Sequence, residues 1–356
     1  MNLNMRNVGH GLNVFINTNL MLDCGSRNLS AFLYNFTKST FLPNVKVFVL
    51  SHLHGDHYNG IFSVPALPKL DKFYIPGIPN ISSDPDIIID FYALLLSIGS
   101  VLSKKIVLVD LLQELKIKSG DKNIPCQLLY NNLKGVNLSP GSSSLFDIIW
   151  PPKNLDPNSA LVKRIKKVLN IVKTLNLHKK IEGLNDLIGT FRRILQDLIN
   201  NGNLSHDYHI GWDNFFAKLI ISDIHTIEKL NGILINLADD LSLSFIMYED
   251  KHRELLFLGD LTTPRVKNAL DAIPITPGTI FNTDMLLPPH HGTRWHNDMN
   301  NIFTSHCLSS LDKNDFISYY KDKLLSTITS SGSLWDTNSH KNITVTSSTS
   351  VTPYAP

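Results

Sequence analysis

The sequence predicts an α/β fold in which short buried strands alternate with longer helices. The clearest strand is residues 45–50, a run rich in β-branched side chains that leads directly into Ser51 and His52. The clearest helix begins near residue 156, where Leu161, Ile165 and Val168 recur at helical spacing. Hydrophobic residues make up 43% of the 356 positions, which is enough to bury a sizeable core.

Composition excludes several classes of protein and leaves others open. The net charge of +2 argues neither for nor against a polyanionic partner. The three cysteines are an odd, sparse set without a CxxC pair, so neither a disulfide framework nor a zinc ribbon is expected. The first residues do not resemble a signal peptide, and no apolar run is long enough to span a membrane. We therefore expect no membrane span and a cytoplasmic location.

The remaining elements follow from short apolar runs that are bounded by turn residues. Strands are predicted at residues 12–17, 20–22, 73–76, 106–109, 145–150, 232–237, 243–248, 254–258, 285–287, 325–330 and 342–347. Helices are predicted at residues 30–36, 87–102 and 265–272. The chain is expected to form one domain over residues 1–347, and the Ser/Thr/Pro-rich residues 348–356 are expected to be a flexible tail.

A helical insertion is predicted at residues 155–231. Its apolar stripe is backed by a basic face, to which Lys163, Arg164, Lys166, Lys167 and Lys173 contribute. Such a face is usually a solvated surface, and contact with a phosphate backbone is the sharper alternative. The insertion also offers a surface for a protein partner.

The strongest chemical signal is the run His52-Leu53-His54-Gly55-Asp56-His57. It places four potential metal ligands within six residues, immediately after a buried strand. A tight turn there can direct His52 and His54 to one metal, and Asp56 and His57 to a second. Imidazole and carboxylate ligands suit zinc, iron or manganese. The alternative is that these are exposed histidines of an ordinary loop.

Two further segments end apolar strands with potential ligands. Asp260 can bridge two cations, or it can cap the helix that follows it. One member of the pair His290 and His291 should bind the second metal, with His290 slightly favoured, and the other can contact the leaving group. Asp23 can orient a ligand histidine or simply form a turn.

Several motifs resemble the metallo-β-lactamase-like domain of ComEC-type DNA-uptake proteins. They are NVGHG at residues 7–11, MLDCG at 21–25, IWPP at 149–152, GD at 259–260 and HHGT at 290–293, in the order of that family. The resemblance implies an αββα sandwich of two packed mixed sheets with outer helices. It also implies two divalent metal ions, zinc or manganese being expected, and a nuclease or phosphodiesterase activity with DNA as the substrate.

The resemblance also implies roles for individual residues. The expected metal ligands are His52, His54, Asp56, His57, Asp260 and His290, and the expected catalytic residues are Asp56, Asp260, His291 and Thr293. The further histidine that this superfamily places between the central run and the bridging aspartate is not obvious, and His206 and His209 are the candidates.

The biological role is more open than the chemistry. One hypothesis is an effector that degrades foreign DNA in defence. A hydrolase of a small ester, lactone or phosphodiester is the second reading, and a non-catalytic scaffold with a decayed metal site is the third.

Overall fold

The first β-sheet is built from both ends of the chain. The computed structural model describes residues 2–6, 8, 11–27, 41–103, 107–138, 141–201, 216, 219, 221, 223–249, 252–273, 281–292, 294, 296–309, 333–336, 342–346 and 350–354. The sheet contains β1 (Asn2–Met5), β2 (Val14–Ile16), β3 (Leu20–Leu22), β4 (Val47–Val49), β5 (Lys72–Pro76), β6 (Cys126–Leu129), β13 (Asn342–Thr346) and β14 (Ser350–Tyr354). Its strand order is β14-β13-β1-β2-β3-β4-β5-β6, antiparallel from β14 to β3 and parallel from β3 to β6.

The second sheet contains the remaining strands. They are β7 (Leu145–Trp150), β8 (Ser244–Glu249), β9 (His252–Phe257), β10 (Phe281–Leu287), β11 (Ile302–Ser309) and β12 (Ser333–Asp336). The order is β12-β11-β10-β9-β8-β7, parallel from β12 to β9 and antiparallel from β9 to β7. Both sheets are therefore mixed.

Alternate residues of each strand face different hydrophobic layers. In β4, Val47 and Val49 belong to a cluster that joins the two sheets, whereas Phe48 belongs to the cluster that contains the helices. In β8, Phe245 joins the cluster between the sheets and Ile246 the helical one. A strand buried on both faces in this way sits between another sheet and a helical layer. The αββα layering predicted from the sequence is thereby confirmed.

The helices cover the outer faces of the sheets. They are α1 (Gly55–Tyr58), α2 (Ile87–Ser103), α3 (Val107–Lys118), α4 (Ala160–Thr174), α5 (Leu177–Lys180), α6 (Leu184–Asn201), α7 (Ile224–Asp239) and α8 (Thr263–Asp271). Helix α2 is apolar around most of its circumference because α4, α6 and α7 all pack against it. Helices α4, α5 and α6 lie within residues 155–231.

Two segments predicted as strands are helical. Residues 106–109 were predicted to form a strand, but Val107, Leu108 and Val109 begin α3. Residues 232–237, also predicted as a strand, lie inside α7. A short apolar run cannot distinguish a buried strand from one face of a buried helix, and both runs continue at helical spacing, to Leu111 and Leu115 in α3. Helix α7 has its own start signal, since the Asp223 carboxylate accepts a hydrogen bond from Thr226 N.

The C-terminal residues also differ from expectation. A flexible tail was predicted after Ser348, yet residues 350–354 form β14 and pair with β13. The tail has the β-forming residues Val351, Thr352 and Tyr354. Pro353 is compatible with β14 because this strand lies at the edge of the sheet, where one row of backbone N–H groups has no partner strand. The strand predicted at 325–330 and the helix predicted at 30–36 lie outside the described residues.

Among the described helices, none is on its own both long and apolar enough to cross a membrane. Helices α2 and α3 reach the required length and composition only as a pair, with a 75° bend between them.

Candidate metal centre

The histidine loop follows β4, the central parallel strand of the first sheet. His52 and His54 precede α1, which carries Asp56 and His57 in its single turn. Ser51 Oγ lies 3.0 Å from His52 Nδ1, so that nitrogen can donate to the hydroxyl and leave Nε2 with its lone pair. His52 Nε2 lies 2.9 Å from His54 Nδ1. The two nitrogens are thus directed at the same small volume.

Asp23 fixes the third histidine of this loop. It follows β3, which is parallel to β4, so both strands end at the same edge of the sheet. Its carboxylate accepts hydrogen bonds from Ser51 N at 2.6 Å, from Ser51 Oγ at 2.6 Å, and from His57 Nδ1 at 2.7 Å. Because Nδ1 is occupied in this way, His57 presents Nε2 to the centre of the site.

Asp260 lies at the middle of the cluster. Its Oδ2 is 3.6 Å from His57 Nε2, 3.7 Å from His291 Nε2, and 3.8 Å from the Nε2 atoms of His52 and His290. The parallel strands β9 and β10 both end at this edge of the second sheet, and they deliver Asp260 and the two histidines respectively. A carboxylate surrounded by imidazoles from two segments can bridge two cations.

Asp239 completes a group that sequence reasoning missed. It is the last residue of α7, and its Oδ1 lies 3.2 Å from His54 Nδ1 and 3.8 Å from His52 Nε2. Arg294 holds it there, because Nη2 donates to Asp239 Oδ2 at 2.7 Å while Nη1 donates to the Asp260 carbonyl oxygen at 2.5 Å. Asp239 therefore lies within metal-ligand distance of His52 and His54, beside which a further ligand was expected.

Asp239 was missed because residues 232–237 were predicted to form a strand, which left Asp239 in the connection to the next predicted strand. In the structure it is the last residue of α7, and the helix places it beside the histidine loop. The preceding prediction of His206 or His209 as the further ligand falls outside the described residues.

The spacing of these atoms fits a metal ion. Tetrahedral zinc with bonds of about 2.0–2.1 Å holds its ligand atoms about 3.3 Å apart. The separations within His52, His54 and Asp239 span 2.9–3.8 Å, which brackets that value. His57 Nε2 and Asp239 Oδ1 are also buried without a hydrogen-bond partner among the described residues. Buried polar atoms are normally satisfied, so a cation would supply what the protein does not.

His290 and His291, which are adjacent in sequence, have different environments in the structure. Their backbones are left-handed, with φ of 49° at His290 and 58° at His291, and such strain in non-glycine residues is typical of functional sites. His291 is buried and groups with Asp56 and His57, their ligand atoms all lying within 4.8 Å of one another. The His290 side chain is 23% exposed and lies at the rim. Thr293, the expected catalytic hydroxyl, lies outside the described residues.

Burial and neighbouring charges set the protonation of the cluster. Burial lowers the pKa of His54 to about 4, and burial together with His57 and His54 lowers the pKa of His52 well below its usual value. Both imidazoles are therefore neutral at neutral pH, the form that binds metals. Burial opposes the ionisation of Asp260, but His291, His57 and His52 outweigh it and hold its pKa well below the usual range.

The pKa values of two other groups, His57 and Asp239, shift upward. Burial disfavours a charged His57, yet Asp23 and Asp260 outweigh it and raise the pKa of this imidazole well above its usual value. Burial and the nearby Asp260 raise the pKa of Asp239, although Arg294 works against that shift. Excess negative charge between Asp239 and Asp260 is an arrangement that a cation stabilises.

Gly25 sets the distance between two site loops. A Cβ at this position would lie 2.5 Å from the Asp56 carbonyl group and 2.7 Å from His57 N. Gly25→Ala is therefore expected to displace α1, to destabilise the fold by about 1–3 kcal/mol and to weaken metal binding. Thermal unfolding and metal titration calorimetry measure both effects.

Gly55→Ala is the matched control, because a Cβ there meets nothing within 4 Å. It should keep the metal affinity of the wild type. Equal metal affinities in the Gly25→Ala variant and the wild type would show that the close approach of these loops is unimportant.

Comparisons with known proteins add little to this geometry. No protein-family model matches the sequence, and no curated protein matches it significantly. Among solved structures, the chain is similar to the metallo-β-lactamase fold protein YhfI from Bacillus subtilis, with 10% sequence identity and a TM-score of 0.39 over 97% of this chain and 99% of that one. The resemblance to ComEC-type domains stays a prediction.

Proposed function

We propose that this protein is a metal-dependent phosphodiesterase that cleaves DNA. The observation that carries the proposal is the convergence of imidazoles and carboxylates from distant segments around Asp260, whose Oδ2 has four imidazole nitrogens within 3.8 Å. Two-metal hydrolases of phosphate esters require such a cage. Zinc and manganese suit a mixed set of imidazole and carboxylate ligands.

The ligands divide into two groups that share Asp260. His52, His54 and Asp239 would hold the first cation. Asp56, His57 and His291 would hold the second. This division exchanges the roles that were predicted for His290 and His291. His291 becomes the metal ligand because its side chain is the buried one. His290 becomes the candidate that contacts the leaving group.

Each protein group has a chemical task in this proposal. Cations held in the cage would polarise the scissile phosphate and acidify a water molecule. Asp23 orients His57, and Ser51 orients His52, through the hydrogen bonds to their Nδ1 atoms. His290 lies at the open rim, with Nε2 3.8 Å from Asp260 Oδ2, and can protonate the leaving oxygen.

The basic face of α4 supports a polyanionic substrate. Arg164 Nη1 donates to Asp240 Oδ2 at 2.8 Å, which anchors this helix beside Asp239. Lys163 and Lys167 are exposed on the neighbouring surface of α4. Exposed lysines near a hydrolytic centre can contact successive phosphates of a DNA strand.

We expect the metal-loaded protein to cleave plasmid DNA and a metal chelator to stop the reaction. In the double variant Lys163→Gln/Lys167→Gln, kcat/KM for DNA should fall, and its dependence on salt should flatten. Each lost phosphate contact removes about 0.9 from the slope of log affinity against log salt concentration, so the change should be about one to two units. Cleavage rates measured between 50 and 200 mM salt, a fourfold range over which two such contacts lose about tenfold in affinity, provide the test.

Lys69→Gln/Lys122→Gln is the matched control. Both lysines lie near the beginnings of β5 and β6, at the edge opposite the metal centre, and the same loss of charge there should leave the slope unchanged. Absence of DNA cleavage under all metals tested, with two metal equivalents bound, would contradict the nuclease proposal.

A hydrolase of a small ester, lactone or phosphodiester is the second candidate. One observation favours it, namely a cavity of about 570 Å³ that adjoins the metal centre and has the size of small-molecule sites. Turnover of such a substrate without turnover of DNA would select this reading. If the protein binds no metal, the hypothesis that remains is the non-catalytic scaffold with a decayed metal site. The roles in defence and in partner binding through residues 155–231, and the cytoplasmic location, stay predictions.

A further inference from the structure

A cavity lies beside the histidine loop, between α2, α3 and α7. Its volume is about 570 Å³, and His54, Gly55 and Asp56 of the histidine loop are among its lining residues. The cavity therefore shares two residues with the metal centre. A substituent that fills the cavity could therefore belong to the same substrate molecule whose scissile bond lies at the metal centre.

Aliphatic side chains form most of the wall. Leu53, Leu95, Leu96, Leu102, Val107 and Ile235 line the cavity. The charged or titratable lining residues are grouped on one side, since Arg27 Nε donates to Asp56 Oδ2 at 3.1 Å and His54 lies two residues before Asp56. A wall of this kind rewards the burial of an apolar group and provides no charge to compensate an ionic one.

The uncharged polar side chains that line the cavity are those of Asn59, Ser103 and Asn231, and that of Asn59 is already hydrogen-bonded within the protein. The Asn59 amide donates to Ser26 O at 2.7 Å, and its oxygen accepts from Ser26 N at 2.9 Å. Both ends of the Asn59 amide are therefore hydrogen-bonded to the backbone of Ser26, next to Gly25. Tyr58 is the lining aromatic residue, and it is buried.

We infer that this cavity is a specificity subsite, which receives an uncharged apolar substituent of the substrate next to the bond that is cleaved. The inference rests on the proposed hydrolytic centre and names the substrate class that the centre selects. Two sources fit the same chemistry: an alkyl group of a small phosphate ester, and a nucleobase of a DNA strand. The aliphatic wall fits the alkyl group more closely, because base-binding sites commonly use stacked aromatic rings. This cavity therefore favours the second candidate substrate, a small phosphodiester, over DNA.

Gly99 offers a way to fill the cavity without disturbing its frame. It lies in α2, lines the cavity, and a Cβ added there meets nothing within 4 Å. In Gly99→Phe the ring should occupy the subsite. Gly189→Phe is the matched control, since Gly189 lies in α6, also has open space around its Cβ, and does not line the cavity.

The probes are methyl-, butyl- and octylphosphonate, whose head group mimics the phosphate and cannot be hydrolysed. Calorimetry with the metal-loaded protein should show tighter binding along the series, by up to about fourfold for each buried methylene. The gain should disappear in Gly99→Phe and persist in Gly189→Phe. Equal melting temperatures of Gly99→Phe and Gly189→Phe would exclude unfolding of α2 as the cause of the lost gain.

Thymidine 5′-phosphonate distinguishes the two sources. A gain over methylphosphonate that Gly99→Phe removes would assign the subsite to a nucleobase, whereas a gain confined to the alkyl series would assign it to an alkyl group. Equal affinity for every probe, or no binding of any probe, would overturn the inference. A chain-length effect in a protein that hydrolyses no phosphodiester would contradict the proposed function and leave the subsite standing.

Discussion

Metal-dependent hydrolysis is expected to fall by about a hundred- to ten-thousandfold when Asp260 is replaced by asparagine. The substitution keeps the shape of the side chain and removes the charge that faces four imidazoles, His52, His57, His290 and His291. A bridging carboxylate is needed to hold two cations close together, and their electrostatic stabilisation contributes several kcal/mol to the transition state. Steady-state kcat/KM on whichever substrate is turned over measures the loss.

A second readout separates this effect from simple unfolding. Metal that binds only the folded state raises the melting temperature of the wild type, by an amount set by the ratio of metal concentration to Kd. That rise should largely vanish in Asp260→Asn, while the metal-free protein still unfolds cooperatively. Asp271→Asn is the control, because Asp271 is exposed on α8 and pairs with Lys267. Wild-type activity in Asp260→Asn would refute the bridging role.

The convergence of the central histidines and aspartate was predictable because these residues are close together in the sequence. His52, His54, Asp56 and His57 lie within one loop after a strongly apolar strand, so neither the residue types nor the strand required knowledge of distant contacts. Asp260 was predictable for a related reason. It ends an apolar strand, and the ends of neighbouring parallel strands meet at one edge of a sheet.

The choice between His290 and His291 was not predictable. Adjacent residues in a regular strand point to opposite sides, but both of these residues adopt left-handed backbone conformations after β10. The turn places both Nε2 atoms within 3.8 Å of Asp260 Oδ2, and His291 is distinguished by its burial and by its grouping with Asp56 and His57. Burial depends on the α1 loop packed above them, which no local pattern reports.

The first metal group required tertiary information of another kind. Asp239 becomes a candidate only when residues 224–239 are seen to be a helix that ends at the site. Leu243, four residues after Asp239, donates its backbone N–H to Ser51 O at 2.8 Å, which ties the segment after α7 to the histidine loop. Nothing in the sequence indicates that contact, although the pair Asp239 and Asp240 does lie shortly before the buried strand β8.

Asp239→Asn is expected to lower the metal content from about two equivalents to about one. The amide oxygen is a poorer ligand than a carboxylate, and the ion pair with Arg294 Nη2 at 2.7 Å is lost at the same time. The first cation then keeps His52 and His54 together with the shared Asp260. Elemental analysis after dialysis measures the stoichiometry, and activity should fall with the occupancy of the first group.

Asp240→Asn provides the contrast within the same helix end. Its buried carboxylate turns away from the cage towards Arg164 at 2.8 Å and accepts a hydrogen bond from Thr262. Asp240→Asn should therefore retain both metal equivalents while losing about 1–3 kcal/mol of stability, the cost of breaking a buried charged hydrogen bond. If Asp239→Asn also retains two equivalents, the first cation is held by a residue other than Asp239, and the assignment of this carboxylate fails.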